Sequence, residues 1–170
     1  MDLYQELLTG SSKASIDRIT NYIQDDPVKF SQLYHYFLSN DGAIQRKAIW
    51  ALSCCVEKWS DLIIPYCKEL IPYLQQARSS DGVKRNILRL FQFIDIPENI
   101  EEDLLANCFD FLANRQEAVA VRVFAMQLLA KLSLKYPEIK NELDLLIEDE
   151  LPYAQPAFVN RGRKILAGRC

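Results

Sequence analysis

The residues that most often carry catalysis are few and widely separated in this sequence. His35 is the only histidine, so a histidine metal site or a histidine-based catalytic pair lacks its second member. Two carboxylate runs, Glu101–Asp103 and Glu148–Glu150, have the chemistry for acid–base work. The first run lies where a helix is predicted to begin and compensates the helix dipole, whereas the second lies at a helix end and has the better claim to function. Charge runs are more often solvated helix faces, so we assign neither a catalytic role.

Recognised catalytic motifs are also absent from the sequence. It contains no H-E-x-x-H, no G-x-S-x-G, no P-loop and no G-x-G-x-x-G. The five cysteines form no C-x-x-C pair, which argues against a zinc site or a disulfide framework. Cys54 and Cys55 are adjacent, but neighbours on a helix point about 100° apart. We therefore predict that Cys54 and Cys55 are small residues of the core. For the protein as a whole we predict a cytoplasmic location, no enzyme activity, no cofactor and no metal.

Length and charge set the broad class. A chain of 170 residues, 49% of them hydrophobic, buries roughly 70% of its unfolded surface as one domain. The net charge of −3 gives no global reason to expect nucleic acid or an anionic membrane as partner. The N-terminal residues lack a basic stretch followed by an apolar one, and no apolar run is long enough to cross a bilayer.

Hydrophobic periodicity predicts helices throughout. Apolar residues recur three and four positions apart, as in Ile16, Ile19 and Ile23, while alternation typical of strands is nowhere sustained. Breakers such as Asp26-Pro27 and Asp41-Gly42 separate the periodic stretches. About ten helices are expected.

An internal repeat organises these helices. Four aligned segments carry an arginine at the same place, and successive arginines are 39, 37 and 39 residues apart: Arg46, Arg85, Arg122 and Arg161. The position six residues later is occupied by Leu52, Phe91, Leu128 and Ala167. We expect Leu52, Phe91 and Leu128 to lie in the core. Each segment follows another amphipathic helix, beginning near Phe30, Asp61, Glu98 and Glu138, so the repeating unit is a pair of helices.

The period, the apolar stripe, the recurrent arginine and the acidic turn before it resemble the HEAT repeat family. The resemblance implies an all-α protein of armadillo type, a right-handed alpha-alpha superhelix or solenoid of about four helix pairs. It divides a single domain, residues 1–170, into N-terminal capping helices at 1–26 and repeats at about 27–59, 60–96, 97–136 and 137–170.

Charge is unevenly distributed between the helices. The four second helices, taken as residues 43–59, 83–94, 117–134 and 157–170, hold twelve Lys or Arg and two Glu. The remainder of the chain holds eight basic and 21 acidic residues. In a HEAT solenoid the second helices line the concave side, so the resemblance implies a basic concave surface that attracts acidic peptide or phosphate.

Two roles are open for these cations. The recurrent arginines of HEAT-like repeats resemble structural residues that pair with a loop carboxylate, as Arg46 would with Asp41 and Arg85 with Asp81. We therefore predict a structural role for the four repeat arginines, Arg46, Arg85, Arg122 and Arg161. The predicted partner-binding residues are the remaining cations, Lys47, Lys84, Arg89, Arg163 and Lys164.

The function predicted from the sequence is a protein-protein interaction scaffold whose partner is a protein or an acidic peptide segment. Nucleic acid is the alternative partner, because the helical repeats of alkylation-repair glycosylases bind duplex DNA through a similar concave face. Neither a membrane nor a small-molecule substrate is expected. An adenylosuccinate lyase is not supported: such lyases resemble long helical chains with several catalytic histidines and a Ser- and Met-rich loop, whereas this chain has one His and two Met.

Overall fold

The computed structural model describes residues 1–10, 12–76 and 79–169. Regular structure in these residues is entirely helical, which confirms the all-α class predicted from the sequence. The α-helices are α1 (Leu3–Thr9), α2 (Lys13–Ile23), α3 (Pro27–Phe37), α4 (Gly42–Val56), α5 (Cys67–Gln75), α6 (Asp81–Leu90), α7 (Glu98–Ala113), α8 (Val119–Leu132), α9 (Lys140–Glu150) and α10 (Pro156–Leu166). Short 3₁₀ segments lie at Ser60–Tyr66, Phe91–Phe93 and Pro137–Ile139.

The breakers that separate the periodic stretches act as helix caps. The side chains of Asp2, Ser12, Asp26, Asp41 and Ser80 each accept a backbone N–H of the helix that follows. Such caps satisfy donors that have no partner within the helix, and each contributes about 1 kcal/mol. These residues therefore fix where α1, α2, α3, α4 and α6 begin.

In two of the helix pairs, the first helix begins later than expected, and a proline explains the difference. Helices were predicted near Asp61 and Glu138, but α5 begins at Cys67 and α9 at Lys140. A 3₁₀ segment precedes each, and Pro65 and Pro137 lie in these segments. Proline lacks an N–H and so disfavours a regular α-helix at Pro65 and Pro137, although α5 accommodates Pro72 in its interior.

The chain forms two compact units, Met1–Asp95 and Ile96–Cys170. In the first unit α4 is central, because α2, α3 and α6 all pack against it. Its apolar face, which includes Ile49 and Leu52, is completely buried by these neighbours. An aromatic layer lies on α3 and the segment before α5, where the rings of Tyr34 and Tyr66 have centroids 4.2 Å apart.

In the second unit α8 is central. Both α7 and α10 pack against it, and α9 contacts α8 and α10. Gly162 allows α10 to approach α9 closely, since a methyl group at Gly162 would lie 2.8 Å from Ile147 Cγ2. That distance is below van der Waals contact, so a larger residue would separate the two helices.

The core residues predicted from the repeat are confirmed. Leu52, Phe91 and Leu128 are each fully buried. Ala167, at the corresponding place in the fourth segment, is exposed because α10 ends just before it.

Leu128 provides a direct test of core packing in the second unit. Leu128→Ala is expected to lower the free energy of unfolding by about 2–5 kcal/mol, because the substitution leaves a cavity in a fully buried site. Urea denaturation measures the change. Leu134→Ala is the matched control: Leu134 is 80% exposed, and its truncation should change stability by less than about 0.5 kcal/mol. Equal losses in the two variants would contradict the assignment.

Candidate interaction surface on the second helices

The second turn of α4 places Arg46 and Lys47 in different environments. Arg46 is exposed, and its aliphatic stem lies beside α6, where a methyl group at Gly82 would be 3.5 Å from Arg46 Cδ. Lys47 turns the other way and donates from Nζ to the carbonyl oxygens of Leu7 (2.7 Å) and Leu8 (3.0 Å). These carbonyls are at the C-terminal end of α1, so Lys47 caps that helix. Its predicted role in partner binding stays a prediction, but its ammonium already has a structural use.

On α6 the basic residues differ in the same way. Arg85 is exposed, and Lys84 is partly exposed. Arg89 lies against α4, where its Nη1 donates to Ser53 Oγ at 2.9 Å and its guanidinium forms an ion pair with Glu57. The same guanidinium lies 5.3 Å from the ring centroid of Phe93. The charge of Arg89 is therefore largely compensated within the first unit.

The ion pairs expected between repeat arginines and loop carboxylates are not found. No ion pair among the described residues joins Arg46 to Asp41 or Arg85 to Asp81. Asp41 instead accepts the N–H groups of Ala43 (2.8 Å) and Ile44 (3.2 Å) as the cap of α4. Asp41 is thus used as a helix cap, and within the described part of the chain its carboxylate has no ion pair with Arg46.

Arg122 differs from the other three repeat arginines because it is buried. Its Nε and Nη2 donate to the carbonyl oxygen of Leu112 at 3.1 and 2.8 Å, and Nη2 also donates to Glu150 Oε2 at 2.8 Å. The guanidinium lies 4.7 Å from the ring centroid of Phe158. Arg122 thus joins the end of α7, the end of α9 and the start of α10 to α8.

Glu150 receives a second arginine. Arg115 Nε donates to Glu150 Oε1 at 2.6 Å, and Arg115 is 59% exposed whereas Glu150 is 8% exposed. Burial by itself would raise the pKa of Glu150, but hydrogen bonds and charge from Arg122 and Arg115 outweigh burial, and the pKa is lowered. The acidic run with the better claim to function therefore has its last carboxylate inside a structural ion pair.

Glu101 is a second buried carboxylate with several donors. Lys135 Nζ lies 2.9 Å from each of its carboxylate oxygens, and the Tyr136 hydroxyl donates to Oε2. The hydrogen bonds from Tyr136 and Lys135 lower the pKa of Glu101 against the effect of burial. Sequence reasoning assigned this run to the helix dipole and did not identify these contacts.

The second helix of the fourth pair, α10, has several exposed basic residues on it or just after it. Arg163 and Lys164 on α10 and Arg169 just beyond it are exposed, and Arg161 is partly exposed. No ion pair among the described residues involves any of them. Arg163, Lys164 and Arg169, but not Arg161, border a shallow groove of about 440 Å³, which we call the α10 groove; its lining residues are Pro156, Val159, Asn160, Arg163, Lys164 and Arg169.

The residues considered for catalysis are not grouped. Within the described part of the chain, no three His, Cys, Asp or Glu side chains are placed to hold a metal ion. His35 is exposed on α3, beside a cleft of about 630 Å³ that also borders Met1 and Asp2. Burial raises the pKa of Cys55 to about 12 and that of Cys67 to about 11, so these thiols stay protonated at neutral pH.

Comparison with known families agrees with this architecture of paired helices. A family model of the HEAT repeat domain matches residues 3–168. The chain therefore belongs to the HEAT repeat domain family, and the solenoid class predicted from the repeat is confirmed. The match also includes α1 and α2, which the sequence repeat had left as capping helices.

No curated protein and no solved structure matches the chain significantly. None of the described helices is long and apolar enough to span a membrane.

The two arginines on Glu150 give a matched pair of substitutions. Arg122→Met should lower the free energy of unfolding by about 3–5 kcal/mol, because it removes the buried partner of a buried carboxylate. Arg115→Met should cost roughly 1 kcal/mol or less, since Arg115 is mostly exposed. Urea denaturation measures the free energy of unfolding of both variants. An equal loss in the two would show that the burial of Arg122 does not add to its contribution.

The lowered pKa of Glu101 predicts a defined pH dependence. A carboxyl with a folded pKa below its unfolded value of about 4.3 stabilises fully above that pH. The contribution is lost as the pH falls through the lower, folded pKa. The stability difference between wild type and Glu101→Gln, measured by urea unfolding, should therefore be largest near neutral pH and shrink below a pH of about 4. Glu102→Gln, at an exposed neighbouring position, should show a much smaller difference; a pH-independent gap for Glu101→Gln would contradict the prediction.

Proposed function

We propose that this HEAT repeat protein is a non-enzymatic interaction scaffold that binds an acidic segment of a partner protein through the basic surface of its second helices. The observation that carries the proposal is the segregation of charge, with twelve cations and two Glu on the second-helix segments of an otherwise acidic chain. Stacked helix pairs commonly present such a surface for binding. The concave position of that surface comes from the family resemblance.

The contacts divide the cations into two groups. Lys47, Arg89 and Arg122 have partners within the chain that account for their charge. Arg46 and Arg85 are exposed on neighbouring helices of the first unit, and Arg163 and Lys164 are exposed on α10. Placement within the fold thus favours these exposed residues over Lys47 and Arg89 as the ones that meet a partner. Arg46 and Arg85 were predicted to be structural.

A protein partner is favoured over nucleic acid by the acidic remainder of the chain. The 21 carboxylates outside the second helices would repel a long phosphate backbone wherever it left the basic surface. A short acidic segment needs to contact only the cations of one unit and need not extend over the acidic helices. Binding of nucleic acid remains the alternative, and the experiment below is designed to detect it.

Affinity purification of the tagged protein from lysate of its source organism, with and without nuclease, tests the proposal. A nuclease-resistant protein should be recovered, and Arg46→Glu/Arg85→Glu should reduce its recovery by about tenfold or more, because charge reversal turns attraction into repulsion. Circular dichroism should show unchanged helicity for this variant.

The matched control is Lys29→Glu/Lys68→Glu, which makes the same change of net charge on the first helices α3 and α5. This control should retain the partner. Recovery that depends on intact nucleic acid would favour the alternative partner, and equal loss in both variants would indicate an effect of net charge alone.

A further inference from the structure

In the last segment of the sequence, all charged side chains are basic. Residues 151–170 contain Arg161, Arg163, Lys164 and Arg169 and no Asp or Glu. The preceding residues 138–150 contain six acidic side chains and one Lys. Charges of opposite sign thus lie on consecutive helices of one unit, yet none of the four cations forms an ion pair with a described residue.

Only one face of α10 is used by the second unit. Phe158, Gly162 and Ile165 are buried, and this face packs against α8 and α9. The α10 groove lies on another face, where Val159 is partly buried and Pro156, Asn160 and Arg163 are exposed. Packing inside the unit therefore does not explain the residues of this groove.

The turn after α10 holds Arg169 beside the groove. Gly168 has φ of +68°, and the N–H of Arg169 donates to the carbonyl of Lys164 at 2.8 Å while the N–H of Gly168 donates to that of Ile165 at 2.9 Å. These two bonds form a Schellman motif, which folds the chain back over the last helical turn. The backbone of Arg169 is thus fixed next to Lys164.

Compensation of the helix dipole explains only part of this arrangement. Cations in the last turn of a helix contribute to stability and do not require a ligand, which accounts for Arg163 and Lys164 taken singly. The dipole effect falls off within one turn, and it does not require an apolar surface beside the cations. Val159 and Pro156 supply such a surface in the same groove.

We infer that the α10 groove receives an extended acidic segment of a partner protein, with an aliphatic side chain on Val159 and Pro156 and carboxylates at Arg163, Lys164 and Arg169. The inference rests on the proposed function and names one binding site for it. Charge complementarity determines the occupant, since the groove has three cations and no acidic lining residue. A phosphate backbone suits the site less well, because the apolar surface of Val159 and Pro156 offers it no polar contact. Exposed carboxylates of α9 in the same unit, such as Glu148, would also repel phosphate.

Fluorescence anisotropy with the whole protein tests this assignment. The probe is a short labelled peptide that alternates Asp and Glu with Leu, and its control has Asn and Gln in place of the acids. The acidic peptide should bind, and Arg163→Glu/Lys164→Glu should raise its Kd by at least about tenfold. Lys29→Glu/Lys68→Glu, with the same change of net charge, should leave the Kd within about twofold.

A second variant tests the apolar contact. Val159→Asp should weaken binding of the acidic peptide strongly, whereas Val159→Ala should weaken it by only a few fold, because alanine keeps an apolar surface. Circular dichroism and thermal unfolding of each variant establish that α10 remains folded. Equal binding by all these variants would overturn the site.

Other outcomes separate the site from the proposed function. Loss of the peptide in Arg46→Glu/Arg85→Glu but not in Arg163→Glu/Lys164→Glu would move the site to the first unit and overturn this inference alone. Failure of the peptide to bind wild-type protein that still captures its partner from lysate would do the same. Tighter, steeply salt-dependent binding of an oligothymidylate would overturn both proposals in favour of nucleic acid. A dimer in light scattering that Arg163→Glu/Lys164→Glu dissociates would make a second copy of the chain the occupant and overturn the inference.

Discussion

Every second helix of this protein must have its apolar stripe covered by neighbouring helices, and the rest of the structure depends on that constraint. A single helix pair cannot bury the stripe, so repeats are stable only when they stack. In the first unit α4 is covered by α2, α3 and α6, and in the second unit α8 is covered by α7, α9 and α10. On α4 and α8 only a narrow edge is left for solvent, whereas α10 exposes more of its surface. Long cationic side chains suit such an edge, because their stems cover apolar surface while their charges stay hydrated, as Arg46 does beside Gly82.

Four polar contacts between helices join residues at similar separations in the sequence, slightly shorter than the repeat. Tyr34 donates to Glu69, Arg89 to Ser53, Lys135 to Glu101 and Arg115 to Glu150, and each pair is separated by 34 to 36 residues. These contacts therefore join different helices, and not equivalent positions of successive repeats. Burial first, and then the charge of Glu69, raises the pKa of Tyr34, so this hydroxyl remains a donor. The contacts add specificity to a stacking that apolar burial drives.

The sequence was sufficient to predict the helices, the repeat and the core, because these depend on local periodicity and caps. The environments of individual charges were harder to predict. Arg46, Arg85 and Arg122 occupy the same repeat position, yet only Arg122 is buried, because the end of α7 presents the Leu112 carbonyl and α9 presents Glu150. The local sequence around an arginine does not contain that information.

The buried carboxylates were missed for a similar reason. Glu101 and Glu150 lie in acidic runs that look solvated, and their partners Lys135 and Arg115 are 34 and 35 residues away in the sequence, while Arg122 is 28 residues from Glu150. Such distant pairings are not visible in the local charge pattern. The roles predicted for the basic residues in partner binding remain predictions.

We propose that the second helices carry the binding surface and that the first helices support it. Backbone amide chemical shifts of ¹⁵N-labelled protein, recorded while the acidic peptide is added, test it most directly. We expect concentration-dependent shifts for residues 156–169 of the α10 region, with α3, α5, α7 and α9 little changed. Shifts concentrated on those four first helices, with residues 156–169 unaffected, would contradict it.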